Sequence, residues 1–544
     1  MSESGESGPG AGASLRSMES PAALPPPEVC ERARLSRDAR FDGLFFTAVS
    51  STGIYCRPVC PAPTPKRANV KYFGNAAAAE AAGFRPCLRC RPELSPGDGA
   101  WRRGDAAVAR ALKLIDDGLL AEQPLSALAE RVHLGERQLR RLFVERLGAP
   151  PIGVHGTRRL LFAKQLLTET SLPITDVALA AGFGSLRRFN TTFRDAYRMA
   201  PRDLRKRPSA ARAEDEGLVL RLGYRPPYDF EAILSFMRGR AMPGIEHVDD
   251  ASYARAVLAD ESEGGAVGGP REKAGAAWLR VSEWPGGEHA LRLELHGVAP
   301  SRLIGIVNRV RRMFDLDADP QAIGAVLSRS PRLAPILAAH PGVRVPSSWD
   351  GFEAAVRAIV GQQVSTAAAR TIAMRLAQRF GTPLETPVGV GVGVDVGTGA
   401  AHPALTHRFP SPAVLAEADL SGIGLTGSRA ETLRTVARAL LDGEVDFRPE
   451  RTLEDFVARW TALRGIGPWT AQYLALRALG HPDAFPAEDL MLQRAFPGEA
   501  PRLSAKALVA RAEAWRPWRG YAVLLLWRDL MAAPAPKKTK GTSQ

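Results

Sequence analysis

The chain has 544 residues, with 72 Lys and Arg against 58 Asp and Glu, a net charge of +14 and an isoelectric point near 9.9. That length implies several hydrophobic cores, and the excess of positive charge points to an anionic partner such as nucleic acid. No apolar run reaches the roughly 20 residues of a membrane span, and residues 1–27 lack the apolar segment of a signal peptide, so a membrane partner is excluded and a cytoplasmic, nucleoid-associated monomer is expected.

Residues 1–27 are polar and rich in Gly, Ser and Pro and read as a disordered tail. Residues 28–95 form the first predicted unit. Phe45–Val49 has strand character, Ser51–Gly53 a turn, and Asn75 caps a short helix running to Ala82. Of the five cysteines, Cys30 stands alone. Cys56 and Cys60 form one close pair, and Cys87 and Cys90 another. Two close pairs across a loop can wrap four thiolates around Zn²⁺; the same spacing also allows two disulfides, which a reducing compartment disfavours. Thr52-Gly53-Ile54-Tyr55-Cys56-Arg57-Pro58-Val59-Cys60 and Ala82-Gly83-Phe84-Arg85-Pro86-Cys87-Leu88-Arg89-Cys90 resemble the zinc domain of the Ada family. The resemblance implies zinc on Cys56, Cys60, Cys87 and Cys90, with Cys56 also accepting a methyl group from a DNA phosphotriester. Methylating one of four thiolates takes the centre from a formal −2 to −1, a change that would favour DNA.

Residues 101–207 are helical in pattern. Apolar Leu139, Leu142, Phe143 and Leu147 recur at helical spacing after Gly135, and Leu186, Phe189, Phe193 and Tyr197 repeat the pattern after Ile174. Helix, turn and helix, twice over, suits paired DNA-binding units. The side chains between the apolar positions (Arg137, Gln138, Arg140, Arg187 and Arg188) suit phosphates and base edges, although a solvated basic face has the same composition. Ile174-x-Asp176-Val177-Ala178-x3-Ala181-Gly182-Phe183-x-Ser185-x3-Phe189 resembles the second helix-turn-helix of the AraC family. That resemblance implies promoter DNA and RNA polymerase as partners.

Residues 208–216 read as a linker, and alternating Leu218, Leu220 and Leu222 open an α+β unit over 217–300. It shows no catalytic constellation. Tyr224-Arg225-Pro226-Pro227-Tyr228-Asp229-Phe230 nevertheless resembles the N-terminal domain of AlkA-type glycosylases. From 301 to 531 helices dominate, interrupted by a Gly/Val-rich insertion at 381–405, and residues 532–544 read as a second disordered tail. Within this part, Gly465-Ile466-Gly467 can lay backbone amides against a phosphate at a helix start, and Asp489 follows some twenty residues on.

Leu463-x-Gly465-Ile466-Gly467-x-Trp469-Thr470-Ala471 with Asp489 resembles the helix-hairpin-helix glycosylases, and the match extends to Arg357–Ser365 and Trp515–Trp527. It implies that Asp489 stabilises the charge developing on a deoxyribose while Trp469, Tyr473 and Trp527 line a pocket for a flipped alkylated base. It places Gly465, Ile466, Gly467, Thr470, Gln362 and Gln363 on double-stranded DNA, with Gln363 at the position of a wedge that is apolar in AlkA. Trp469 stands where strand-cutting relatives carry a lysine, which implies a monofunctional hydrolase of the DNA-3-methyladenine glycosylase II type. The resemblance also brings a monovalent cation at the hairpin carbonyls. No cysteine follows Cys90, so no iron–sulfur cluster is expected. The whole reads as a multidomain, mainly α protein: a small zinc-bound α+β domain, a double helix-turn-helix, an α+β subdomain and an all-α hairpin domain. The competing reading is a methylation-activated regulator whose C-terminal half only binds DNA.

Overall fold

Short polar side chains start the helices that matter here. Asn75 Oδ1 accepts from the Ala78 amide at 2.9 Å and opens Ala76–Ala81, Ser185 caps Leu186–Tyr197, and Asp350 and Ser365 cap Gly351–Val360 and Thr366–Phe380. The structure is a computed structural model that describes residues 24–97, 106–116, 118–205, 217–258, 277–384, 402–447, 452–496 and 502–532. The linker 208–216, most of both tails and the centre of the Gly/Val-rich insertion lie outside the described residues.

The N-terminal unit is built on a four-stranded sheet in the order Val70–Phe73, Phe46–Val49, Ile54–Cys56, Arg85–Pro86. The first three strands pair antiparallel, and Arg85–Pro86 joins in parallel. Cys30 is fully buried against Phe45; burial pushes its thiol up to about 12, so it packs as an inert apolar group.

Two helix-turn-helix units follow, Leu125–Arg131 with Glu136–Leu147, and Ile174–Ala180 with Leu186–Tyr197. A 19-residue helix, Pro151–Glu169, joins them. The first unit has its own core around Leu128, Leu139 and Phe143, whereas the second shares one with the sheet that follows.

That sheet has five antiparallel strands in the order Leu218–Gly223, Ala290–His296, Ala277–Glu283, Ser252–Val257, Glu246–Val248. Helices Phe230–Arg238 and Leu303–Met313 pack into the same core, so that core reaches beyond residue 300. The helical domain has a separate large core in which Trp460 and Trp515 are 1% and 2% exposed. Its long helical run breaks at Gly361, into Gly351–Val360 and Thr366–Phe380.

Candidate active site and zinc centre

The hairpin joins Leu453–Thr461 to Pro468–Arg477 through Leu463–Gly467. Gly465 has φ +90°, and a Cβ there would lie 2.0 Å from Thr432 Oγ1, so only glycine fits. Ile466 is 4% exposed and anchors the turn from beneath, while Gly465 and Gly467 stay on the surface. Thr470 is 2% exposed and accepts from Gln362 Nε2 at 3.2 Å; the same Nε2 donates to the Gly465 carbonyl at 3.1 Å. Gln362 and Thr470 therefore brace the turn from inside. Gln363 is exposed in the left-handed region at φ +53°.

In Pro468–Arg477, buried Ala471 and Leu474 hold one face while Trp469 and Tyr473, one turn apart, share another. Their rings stack with centroids 5.1 Å apart at 16°, and Trp527 from Arg519–Ala532 packs at 6.4 Å from Tyr473. A base inserted between two rings needs roughly twice the 3.4 Å stacking step. Trp469 and Tyr473 consequently offer one composite wall, not two jaws.

Asp489 caps the short helix Leu490–Arg494. Its Oδ1 accepts from the amides of Met491 at 3.0 Å and Leu492 at 3.1 Å, and from Trp527 Nε1 at 3.3 Å. Its Oδ2 accepts from Trp469 Nε1 at 3.1 Å and is the less occupied oxygen. The carboxylate is half-buried, fixed in orientation by four N–H groups and flanked by two of the three expected aromatic residues. Glu488 beside it is exposed.

Two features of this region carry no local sequence signal. Arg477, 7% exposed, lies behind Tyr473, donates to the Pro346 carbonyl and stacks on Phe236; burial, with Arg240 and Arg357 nearby, brings it down to about 10. A buried cluster of Arg255, Glu353, Glu246 and Arg357 joins two strands of the five-stranded sheet to Gly351–Val360, the helix that leads into Gln362. Its members are scattered over more than a hundred positions, and only folding brings them together.

At the other end of the chain the Sγ atoms of Cys56, Cys60, Cys87 and Cys90 lie within 4.8 Å of one another. Zinc bound at about 2.3 Å from each would separate them by roughly 3.8 Å, so this donor set fits a tetrahedral Zn²⁺ site with slight contraction. Backbone amides already point at two sulfurs, Arg57 N–H at Cys90 Sγ (3.3 Å) and Arg89 N–H at Cys87 Sγ (3.4 Å). A hydrogen bond from Cys56 brings the Cys60 thiol down to about 7. Cys87 and Cys90 are each 6% exposed, whereas Cys56 and Cys60 are only partly covered. On the second helix of each helix-turn-helix unit Arg137, Gln138, Arg140, Arg187 and Arg188 are all exposed.

Four family models match this chain in succession: the metal binding domain of Ada over residues 29–93, a helix-turn-helix domain over 128–207, the AlkA N-terminal domain over 219–350, and the HhH-GPD superfamily of base excision DNA repair proteins over 356–499. A probable bifunctional transcriptional activator/DNA repair enzyme AlkA from Mycobacterium tuberculosis is 39% identical over 507 residues, 92% of this chain and 96% of that protein. DNA-3-methyladenine glycosylase 2 of Escherichia coli is 33% identical over 56% of this chain and 95% of its own length. The bifunctional transcriptional activator/DNA repair enzyme Ada of the same organism is 37% identical over 27% of this chain and 40% of its own. Four modules in one order, matched almost end to end, place this chain in the family of bifunctional transcriptional activator/DNA repair enzymes that join Ada-type zinc and helix-turn-helix modules to an AlkA-type glycosylase.

Proposed function

We propose that the C-terminal half hydrolyses the N-glycosidic bond of alkylated bases such as 3-methyladenine in double-stranded DNA, with Asp489 as its catalytic carboxylate. The observation that carries this reading is a carboxylate held by four N–H donors between Trp469 and Trp527. Breaking the bond builds positive charge on the deoxyribose, and a preorganised carboxylate stabilises that charge more than it stabilises the ground state. Oδ2 is the oxygen left to face the sugar. A base alkylated to a cation departs readily, so recognition can rest on the electron-rich faces of Trp469, Tyr473 and Trp527. Amides at Gly465 and Gly467 would take the backbone phosphate, with Ile466, Thr470 and Gln362 supporting them. The proposal includes a monovalent cation at the hairpin carbonyls; the Gly465 carbonyl already accepts from Gln362, which leaves its neighbours to hold the ion. With Trp469 in place of lysine, strand breaks should appear only after chemical cleavage of the abasic product.

The N-terminal half is proposed to accept a methyl group at Cys56 and to bind promoter DNA and RNA polymerase. Zinc, when bound, keeps its thiolates deprotonated yet nucleophilic. Cys56 Sγ forms the new S–C bond while the C–O bond of the phosphotriester breaks, leaving a phosphodiester anion. Partial exposure supports Cys56 over the buried Cys87 and Cys90. The two recognition helices are separated by a connecting helix of about 28 Å at 1.5 Å per residue, close to the ~34 Å between successive major-groove windows.

Base release from methylated DNA separates the enzyme from a pure regulator. Asp489→Asn should lower the single-turnover rate by about a hundredfold or more. Undiminished release by this variant would remove Asp489 from its role, and no release by the unaltered protein would leave only DNA binding for the C-terminal half.

A further inference from the structure

The two oxygens of Asp489 are held by groups from three separate elements. The amides of Met491 and Leu492 belong to the short helix that Asp489 itself caps, Trp469 Nε1 to Pro468–Arg477, and Trp527 Nε1 to Arg519–Ala532. The contact from Trp527 is the longest of the four, at 3.3 Å. A relative shift of a few tenths of an ångström between Leu490–Arg494 and Arg519–Ala532 would break it. The short helix has five residues, too few internal bonds to hold itself in place. Something outside it must fix its far end.

One side chain bridges the two helices. Arg332 stands between Pro320–Leu327 and Ala334–Ala339. Its backbone is fixed, because the neighbouring Leu333 is fully buried in the core of the hairpin domain, and the amides of Leu333 and Ala334 both donate to the Ser330 carbonyl. From there Arg332 Nε donates at 2.7 Å to the carbonyl of Ala495, the residue that ends Leu490–Arg494. Its Nη2 pairs with Asp529, two residues beyond Trp527 on the same helix. The planar fork of a guanidinium fixes the geometry between those two partners. Arg528, between Trp527 and Asp529, gives that helix a further tie, to Asp229 at 2.7 Å.

We propose that Arg332 is a positioning residue for Asp489. By clamping Ala495 to Asp529 it keeps the far end of the short helix in register with Trp527, and the carboxylate with it. Arg332 lies 163 positions from Ala495 and 197 from Asp529, so no local motif marks it. The inference rests on the glycosylase reading above. The competing role is an ordinary surface ion pair: the side chains of Arg332 and Asp529 are 25% and 39% exposed, and a pair of that kind contributes little to stability. The two roles differ in what the loss of Arg332 changes.

The test measures single-turnover base release from a duplex carrying one N7-methylguanine, at saturating protein, alongside denaturant unfolding and hydrogen exchange over residues 489–495 without DNA. Arg332→Ala should lower the rate by about tenfold or more, because a small displacement of the reacting group is costly. Its unfolding midpoint should stay unchanged, while exchange over residues 489–495 rises. Arg332→Lys should fall between the two, because one ammonium cannot hold both partners in a fixed geometry. In an Asp489→Asn background Arg332→Ala should cost nothing further, since the carboxylate it positions has gone. Equal losses in the two backgrounds, or an unchanged rate in Arg332→Ala, overturn this inference and leave the role of Asp489 intact. Unchanged exchange over residues 489–495 in Arg332→Ala overturns it without reference to activity. No release by the unaltered protein overturns the glycosylase reading instead.

Discussion

Gly465 shows how a single residue sets the geometry of the turn proposed to hold phosphate. An alanine there would meet Thr432 Oγ1 at 2.0 Å and Thr432 Cγ2 at 2.8 Å while holding φ near +90°. Left-handed strain and overpacking together should cost about 2–4 kcal/mol in Gly465→Ala, read as a lowered midpoint in denaturant unfolding. Adding Thr432→Ala removes the nearest atoms but not the backbone strain, so it should restore only part of the loss. Full restoration would show that the steric contact is the whole effect. The turn is legible in the sequence, because Gly-x-Gly spacing has a local physical reason, whereas the proposed roles of Asp489, Trp469, Tyr473 and Trp527 enter only through the resemblance to the hairpin glycosylases. Thr432, which makes Gly465 obligatory, lies more than thirty positions away on another helix. So does Gln362 from its partners: as a residue it is visible as a polar side chain near the site, but the sequence does not show that its amide is spent inside the protein.

The strand Ser252–Val257 has no alternating sequence signal, and the buried ion cluster explains why. Ser252–Val257 is buried along its whole length yet carries Arg255, which breaks the apolar run and hides the strand character. Arg255 is tolerated because it meets Glu353 at 3.0 Å and Glu246 at 3.7 Å, and Glu353 is also held by Arg357. Removing one carboxylate from this cluster leaves buried guanidinium groups uncompensated, so Glu353→Ala should destabilise the hairpin domain by about 3–5 kcal/mol. The cluster also makes a pH prediction. Burial raises the Glu246 carboxyl, but Arg357 and Arg255 outweigh it and bring it down to about 2 from 4.5. A depressed carboxylate stabilises the fold above its unfolded value and loses that contribution as pH falls through the folded value. Up to about 3 kcal/mol should therefore disappear between roughly pH 4.5 and pH 2. In Glu246→Gln the stability measured by chemical denaturation should already be low at neutral pH and should vary less over that window. An unchanged slope would assign the acid sensitivity to other groups.

At the scale of the whole molecule, the modules recognisable one by one in sequence are not independent beads. Arg91 of the zinc unit pairs with Glu169 of the long connecting helix at 2.8 Å, and Glu169 in turn lies 3.8 Å from Arg221 of the five-stranded sheet. The second helix-turn-helix unit buries Phe189, Phe193 and Tyr197 in the same core as Leu220, Leu222 and Leu293 of that sheet. None of this is legible from motifs, because each motif is satisfied within its own module while the joints between modules use ordinary arginines and glycines. Arg225 is the clearest joint. It is fully buried and donates to the carbonyls of Asp42 (2.7 Å), Asp317 (2.8 Å), Ala318 (3.2 Å) and Gly97. Asp42 holds Arg57, the neighbour of Cys56, so one guanidinium fastens the zinc unit to the sheet close to the proposed methyl acceptor. Close approach at Gly43 and Gly223, where a Cβ would lie 2.1 Å from the carbonyls of Pro96 and Leu94, leaves no room for water to replace it. Arg225→Ala strands several buried carbonyls and should weaken the joint by at least about 3 kcal/mol. Calorimetry should then resolve a separate, earlier transition for the zinc unit, with protease cleavage near residue 97 appearing alongside it. Arg225→Lys should behave similarly, because one ammonium cannot reach carbonyls on both sides of the joint. A single unshifted transition in both variants would mean that the zinc unit is held by its other contacts and that Arg225 only fills the space between the two units.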